Sequence, residues 1–263
     1  MAAEPDIKAY LQERLKTRFM GRELHYIAVT TSTQDIARTL AEQGAPEGTA
    51  VIAGEQQSGR GRMGRPWLSP SGGLATSIIL HPSIASVYLL PAITSVAVFR
   101  MLRKMGIKAG IKWPNDVLVK GKKVCGILIE NATAGGELRY SIAGIGINVN
   151  FDTGKYPEIA DIATSLSVQL GHEAPLAEVA LHLYTELEDI YTGIAEPASI
   201  IDEWSQNMVT IGRTVSADFY GNRIDGTAEG INQQGNLVVR LADGSTREIV
   251  AGDVTVTNTN GGA

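Results

Sequence analysis

One cysteine stands among the 263 residues, Cys125, so no intramolecular disulfide can form and a reducing compartment is expected. Basic residues are not in excess: 23 Lys and Arg face 28 Asp and Glu, for a net charge of −5. That balance argues against a general nucleic-acid binder, although local basic clusters can still meet phosphates. The four histidines, His25, His81, His172 and His182, are scattered without ligand spacing, and no zinc site is inferred. No apolar h-region follows Glu4 and Asp6, so no signal peptide is expected. Between Arg65 and Arg100 there is no Lys, Arg, Asp or Glu, but Pro70, Gly72, Gly73, Pro82 and Pro91 interrupt the stretch. It fits a buried strand, a turn and a buried helix better than a membrane span. A soluble, cytoplasmic protein is the expectation.

What is present is a large packed core, since 44 % of the residues are apolar. Ile7, Leu11 and Leu15 have helical spacing and predict an N-terminal helix over Pro5–Phe19. A second helix is predicted over Gln34–Gln43, with Ser32 or Thr33 suited to cap it. Strand-like runs lie at Ala50–Ala53 and Leu74–Leu80, followed by a helix over Tyr88–Met105. β-rich runs at Val117–Lys120, Val124–Glu130 and Arg139–Val149 precede helices at Leu176–Ile194 and Ser199–Met208. This order is an α+β pattern with a mixed, mainly antiparallel sheet. Beyond Gly212 the texture changes to short alternating segments split by Gly221-Asn222, Gly235-Asn236 and Asp243-Gly244. They describe a small β-barrel of about 50 residues. The boundary is placed between a domain of residues 1–211, its first 25 residues carrying the N-terminal helix, and a barrel of residues 212–263. The tail Thr257–Ala263 is expected to be disordered.

The most unusual segment runs from Gly59 to Trp67, with Arg60, Arg62 and Arg65 among Gly59, Gly61 and Gly64. Its glycines spell a dinucleotide fingerprint, but Pro66 and Pro70 forbid the helix that fingerprint opens, and Ile79–Pro91 holds no acidic partner. No Gly-Lys-Ser/Thr follows, so it is not a P-loop. What remains is a loop whose backbone can approach a ligand closely and whose guanidinium forks match phosphate oxygens. It suggests closure over a phosphorylated small molecule. A mobile surface loop is the alternative.

After this loop come Lys112-Trp113-Pro114-Asn115-Asp116, Gly126-Ile127-Leu128-Ile129-Glu130 and Gly144-Ile145-Gly146-Ile147-Asn148. In this order, and with Ser32-Thr33-Gln34 and Glu55-Gln56-Gln57 upstream, the chain resembles the biotin–protein ligase (holocarboxylase synthetase) family from about Tyr26 to the C-terminus. The resemblance implies a catalytic domain like that of class II synthetases and an SH3-like barrel. It also implies biotin and Mg²⁺-ATP as substrates, a biotinyl-5′-adenylate intermediate, and a lysine of a biotin carboxyl carrier protein domain as acceptor. It assigns Ser32, Thr33, Gln34 and Gln56 to the ureido ring of biotin. Arg60, Gly61 and Arg62 fall at the biotin carboxylate and phosphate, and Lys123 at the reacting centre. Arg60, Arg62 and Lys123 are therefore the catalytic candidates. Trp67, Arg62, Asn115, Asp116 and Asn148 are ATP-site candidates, with Mg²⁺ arriving on ATP near Asp116 and no protein metal cluster. Gln34 departs from the family, which often has Asn there, and its longer amide needs a shift of backbone or ligand to make the same bonds.

Each assignment has a plainer alternative. Ser32 and Thr33 could only cap a helix, Lys123 could be a turn lysine beside Lys120 and Lys122, and Asp116 a turn residue. Trp67 and Trp113 could be core, Asn148 a satisfied strand amide, and Cys125 reads as core. One helix before Tyr26 is too little for a DNA reader, so no DNA binding is expected. A lipoate–protein ligase and a non-catalytic biotin sensor are the rival functions. An open sheet edge makes a homodimer reasonable.

Overall fold

The computed structural model describes residues 6–219, 222–250 and 252–256. The expected disorder of Thr257–Ala263, the role of Pro5 and the turn at Gly221 lie outside them. The chain opens with α1 (Ile7–Arg14), β1 (Leu24–Thr30), α2 (Thr33–Glu42), β2 (Ala50–Arg60), β3 (Pro66–Ser69) and β4 (Leu74–Leu80). It continues with α3 (Leu90–Lys104), β5 (Gly110–Lys112), β6 (Asp116–Val119), β7 (Lys122–Ala134) and β8 (Glu137–Ile147). Then come α4 (Leu166–Leu170), α5 (Leu176–Thr192) and α6 (Pro197–Gln206). The last strands are β9 (Thr214–Phe219), β10 (Asn222–Ile231), β11 (Leu237–Arg240), β12 (Thr246–Ile249) and β13 (Asp253–Val256).

Eight strands form one sheet in the order β1-β2-β4-β8-β7-β6-β5, with β3 paired to β2. Only the β1–β2 pair is parallel; the others are antiparallel. The mixed, mainly antiparallel α+β architecture is thus the one expected from the alternation of short strands and helices. The charge-free stretch resolves into β3, β4 and α3, eleven of whose residues are buried. No helix among the described residues is long and apolar enough to cross a membrane. The last five strands make a separate antiparallel sheet in the order β12-β11-β10-β9-β13.

The first helix stops at Arg14 rather than Phe19. Its start is capped by Asp6, which accepts from the backbone N–H groups of Lys8 and Ala9. Its expected last turn is instead drawn off by Glu188 of α5, which accepts from the backbone N–H groups of Arg18, Phe19 and Met20 at 2.6, 2.9 and 3.0 Å. Burial pushes the Glu188 carboxyl up, but the three N–H donors outweigh it and hold the group below its ordinary range. Strand β1 escaped the sequence reading because its residues alternate only in part between buried and exposed.

The sheet's two faces explain the glycine-rich motifs. In β8, Ile145 and Ile147 point into the core at 2 % exposure each, so the strand's period of two turns Gly144 and Gly146 to the opposite face. In β7, Ile127 does the same beside Gly126, and Gly126 pairs with Gly146 across the strands. That opposite face, floored by glycine, carries the site.

Candidate functional site

Two cavities open on this face. The inner one, of about 50 Å³, is walled by the start of α2, the middle of β2 and β4, and the glycine floor. Thr33 donates to Gln56 Oε1 from both its backbone N (2.8 Å) and its hydroxyl (3.0 Å), and the same hydroxyl lies 2.8 Å from Ser77 Oγ. Ser32 occupies the N-cap position of α2 in extended conformation, yet its side chain makes no capping bond. It is 1 % exposed and lines the cavity, so the capping alternative does not account for it. Gln34, also buried, donates from Nε2 to Leu128 O at 3.1 Å while its Oε1 has no partner. A buried acceptor left open costs about 1–3 kcal/mol unless something donates to it. The longer side chain fits because Gly144 lies beneath it: a Cβ there would stand 2.8 Å from Gln34 Nε2.

The outer cavity, of about 500 Å³, is bounded by the Gly59–Trp67 hairpin, by Lys112, Asn115 and Asp116, and by the segment from Ile159 to Ala163. The hairpin is tighter than a loose loop. Gly59 pairs with Trp67 and Arg60 with Pro66, and Gly61 N donates to Arg65 O at 2.8 Å. The turn at its tip puts Met63 at φ 56° with its side chain 69 % exposed. A Cβ on Gly59 would meet Trp67 O at 2.5 Å, so only glycine fits where the hairpin leaves β2.

Gly61, Arg62, Trp67, Asn115 and Lys123 border both cavities. Trp67 lies on the glycine floor, where a Cβ on Gly146 would come within 2.4 Å of its ring and one on Gly126 within 2.8 Å. Lys123 Nζ sits 5.2 Å from the Trp67 ring centroid and 2.6 Å from Asp116 Oδ1. The latter is a close ion pair that holds the lysine against the outer cavity's carboxylate. Asn115 accepts from Arg62 Nη1 at 3.1 Å and donates to Ile127 O at 2.8 Å. Lys123 is thus held over the junction rather than projecting from a turn.

The tertiary structure divides the remaining candidates. Arg60 lines the inner cavity, but its guanidinium is turned onto Asp35 in a fork of 2.7 and 2.8 Å. Asn148 borders the outer cavity, and its Nδ2 donates to Thr164 O at 3.0 Å and to Lys123 O at 3.4 Å, so its amide fastens the Lys123 backbone. Trp113 is core, and its ring N–H donates to Gly235 O, in the turn between β10 and β11, at 3.0 Å. Cys125 is fully buried, and burial pushes its thiol far above the ordinary range. The sequence reading missed Lys112 and Asp161 at the outer cavity and Ser77, Gly126, Gly144 and Gly146 at the inner one. The alternation of Gly with Ile in the last motif is the signal that points to the glycines. Ser77, inside an apolar strand, carries none. Among the described residues no group of three or more His, Cys, Asp or Glu could hold a metal ion.

Residues 26–148 match the model of the Biotin/lipoate A/B protein ligase family, and residues 210–256 match the Biotin protein ligase C terminal domain. The "Bifunctional ligase/repressor BirA" of Bacillus subtilis is 39 % identical over 254 residues, covering 91 % of this chain and 76 % of that protein. The "Biotin--[acetyl-CoA-carboxylase] ligase" of Mycobacterium tuberculosis is 33 % identical over 251 residues, or 89 % and 88 %. Among solved structures, the biotin protein ligase from Aquifex aeolicus in complex with biotin and ATP aligns with a TM-score of 0.78 at 30 % identity, covering 90 % of this chain and 99 % of that one. The chain belongs to the biotin/lipoate ligase family, among its biotin protein ligases.

Proposed function

We propose that the protein joins biotin to ATP as biotinyl-5′-adenylate and then passes the biotinyl group to a lysine of a biotin carboxyl carrier protein domain. The observation that carries this reading is the pair of cavities meeting at Lys123, Arg62 and Trp67. An acid seated in one and a nucleotide in the other would bring carboxylate and α-phosphate together at that junction. Positioning of this kind supplies much of the catalysis when two anions must meet.

In this reading the ureido ring of biotin occupies the inner cavity, its N–H groups donating to acceptors such as the open Gln34 Oε1 and its carbonyl accepting from Ser32. The carboxylate reaches the glycine backbone at Gly61 and the charges of Arg62 and Lys123. A carboxylate oxygen attacks the α-phosphorus, the bond to the bridging oxygen breaks, and pyrophosphate leaves. The acceptor amine then attacks the acyl carbon, AMP departs with the bonding pair, and the amine loses a proton. Lys123 and Arg62 face the charge that builds in the first step. Trp67 offers a flat wall to the nucleotide and Asn148 an edge group. Asp116 and Asp161 are the outer cavity's carboxylates, and with one of them already paired to Lys123 they suit an Mg²⁺ carried in by the phosphates rather than a resident ion.

Biotin is favoured over lipoate because the inner cavity is lined by hydroxyls and amides. A dithiolane would bury them without partners. The catalytic unit is assigned to residues 1–211, with residues 212–263 as an SH3-like adjunct that docks on Trp113. A cytoplasmic setting and a homodimer through an open sheet edge belong to the same reading. The repressor role named for the Bacillus relative stays with that protein. The test is pyrophosphate release from Mg²⁺-ATP without acceptor, with biotin and lipoate supplied separately. A biotin-dependent burst near one per site is expected. A burst with lipoate alone, or none with either despite tight biotin binding, would overturn the reading.

A further inference from the structure

The start of α2 carries a capping-box pattern, Ser32-Thr33-Gln34-Asp35, in which residues one and four ordinarily bond each other's backbone. Neither does so here in the usual way. Ser32 leaves its capping bond unmade and lines the inner cavity, while both Asp35 oxygens accept from Arg60 at 2.7 and 2.8 Å. Asp35 Oδ1 also accepts from Arg38 Nη1 at 3.1 Å, and Arg38 Nη2 donates to Glu130 Oε2 at 2.8 Å. With Arg60 Nη2 3.9 Å from Glu130 Oε2, two arginines and two carboxylates form a charge-neutral network over α2, the end of β2 and the Gly-Ile-Leu-Ile-Glu segment of β7. Arg60 is the last residue of β2, directly before the glycine and arginine of the hairpin tip. Asp35 directly follows the three residues that line the inner cavity.

We infer that Asp35 is a positioning residue: by holding the Arg60 fork it fixes the base of the Gly59–Trp67 hairpin against the ligand-binding turn, and so retains the adenylate until the acceptor arrives. This deepens the proposed ligase function and rests on it. A lone exposed ion pair would do little. This pair is bidentate and joined to a second one, and a planar fork constrains direction as well as distance. Arg60 accordingly supplies a wall and a hinge point, while Arg62 and Lys123 supply the charge at the junction.

Adenylate is formed on the enzyme from biotin and Mg²⁺-ATP, excess substrate is removed, and release of biotinyl adenylate is timed without acceptor. Wild type is compared with Asp35→Asn, Asp35→Ala, Asp35→Glu, Arg60→Ala, Arg60→Lys and the Asp35→Ala/Arg60→Ala double variant. Asp35→Ala should release adenylate about tenfold faster, about 1.4 kcal/mol, with the adenylation rate within about threefold. Arg60→Lys should behave like Arg60→Ala, because an ammonium cannot make the fork. Asp35→Glu should restore retention, and the double variant should be no leakier than Arg60→Ala alone. Retention equal to wild type in Asp35→Ala, or effects that multiply in the double variant, would overturn the inference. Should Asp35→Ala fold poorly, Asp35→Asn, with the same shape and no charge, decides by the same criteria. A wild type that forms no adenylate fails at the earlier step and removes the ligase reading together with this one.

Discussion

The two cavities are built on opposite principles. The inner one is a template: Thr33 bonds both Gln56 and Ser77, Gln34 is pinned to Leu128 O, and all four sit on strands or a helix start. The outer one is wider and bounded mostly by connecting segments, with exposed Met63 and Ile162 at its rim. Side chains locked by mutual bonds hold a small, uncharged head group in one orientation at little entropic cost. A triphosphate must enter and pyrophosphate must leave, which favours a wall that can move. Under the proposed function, selectivity for the acid falls to the mutually bonded half and turnover of the nucleotide to the half walled by connecting segments.

The sharpest way to break that division is at the junction. Lys123→Ala should cut biotin-dependent pyrophosphate release on the order of 10²–10³-fold, since it removes fixed positive charge where charge builds. Unchanged release would take Lys123 out of the mechanism. Arg62→Gly, at the hairpin tip, should still form adenylate but lose it tens-fold faster to solvent, an order-of-magnitude expectation for a weakened barrier to water. Labelling of bystander lysines reports the leak, and labelling confined to the acceptor would count against it.

The glycine floor allows the inner cavity and the junction to be perturbed in turn. Gly144→Ala drives a methyl into the Gln34 amide and should weaken biotin binding about tenfold by titration calorimetry. Gly146→Ala drives one into the Trp67 ring, which borders both cavities, and should raise the KM for ATP by about the same factor while weakening biotin as well. If Gly144→Ala weakened ATP as much as biotin, the two halves would not be independent.

The smallest expected effect lies far from the site. Glu188 binds three backbone N–H groups, and its carboxyl is held below the ordinary value of 4.5. A depressed carboxylate stabilises the fold fully above that value and ceases to do so as the pH falls through the folded-state pKa. Glu188→Gln should therefore cost about 1–3 kcal/mol at pH 7, a fall of a few degrees in Tm. The gap from wild type should narrow on acidification below about pH 4.5. A gap that held constant with pH would mean that the charge on Glu188 is irrelevant.

How much of this was legible beforehand varies by element. The limits of β4 are those read from its unbroken apolar run, and α3 and α5 agree with expectation to within a few residues. The N-terminal helix was read too long because Leu15 keeps the helical period while Glu188, 173 positions away, captures the backbone that would have continued it. Arg60 and Arg62 look alike in a row of arginines. Their difference in position, one turned onto Asp35 and the other onto Asn115, depends on which elements pack beside them.

Composition and periodicity determine the architecture here, because apolar spacing and turn residues act within a few positions of themselves. The ordered motifs determine the family, because ligand chemistry constrains residue types one by one. The division of labour among those residues is decided only by the tertiary structure. Which amide is left open, which partner each arginine meets, and which ring lies on which glycine depend on contacts between elements far apart in the chain. Such contacts are set by the register of the sheet, and a one-dimensional pattern does not encode register between distant partners.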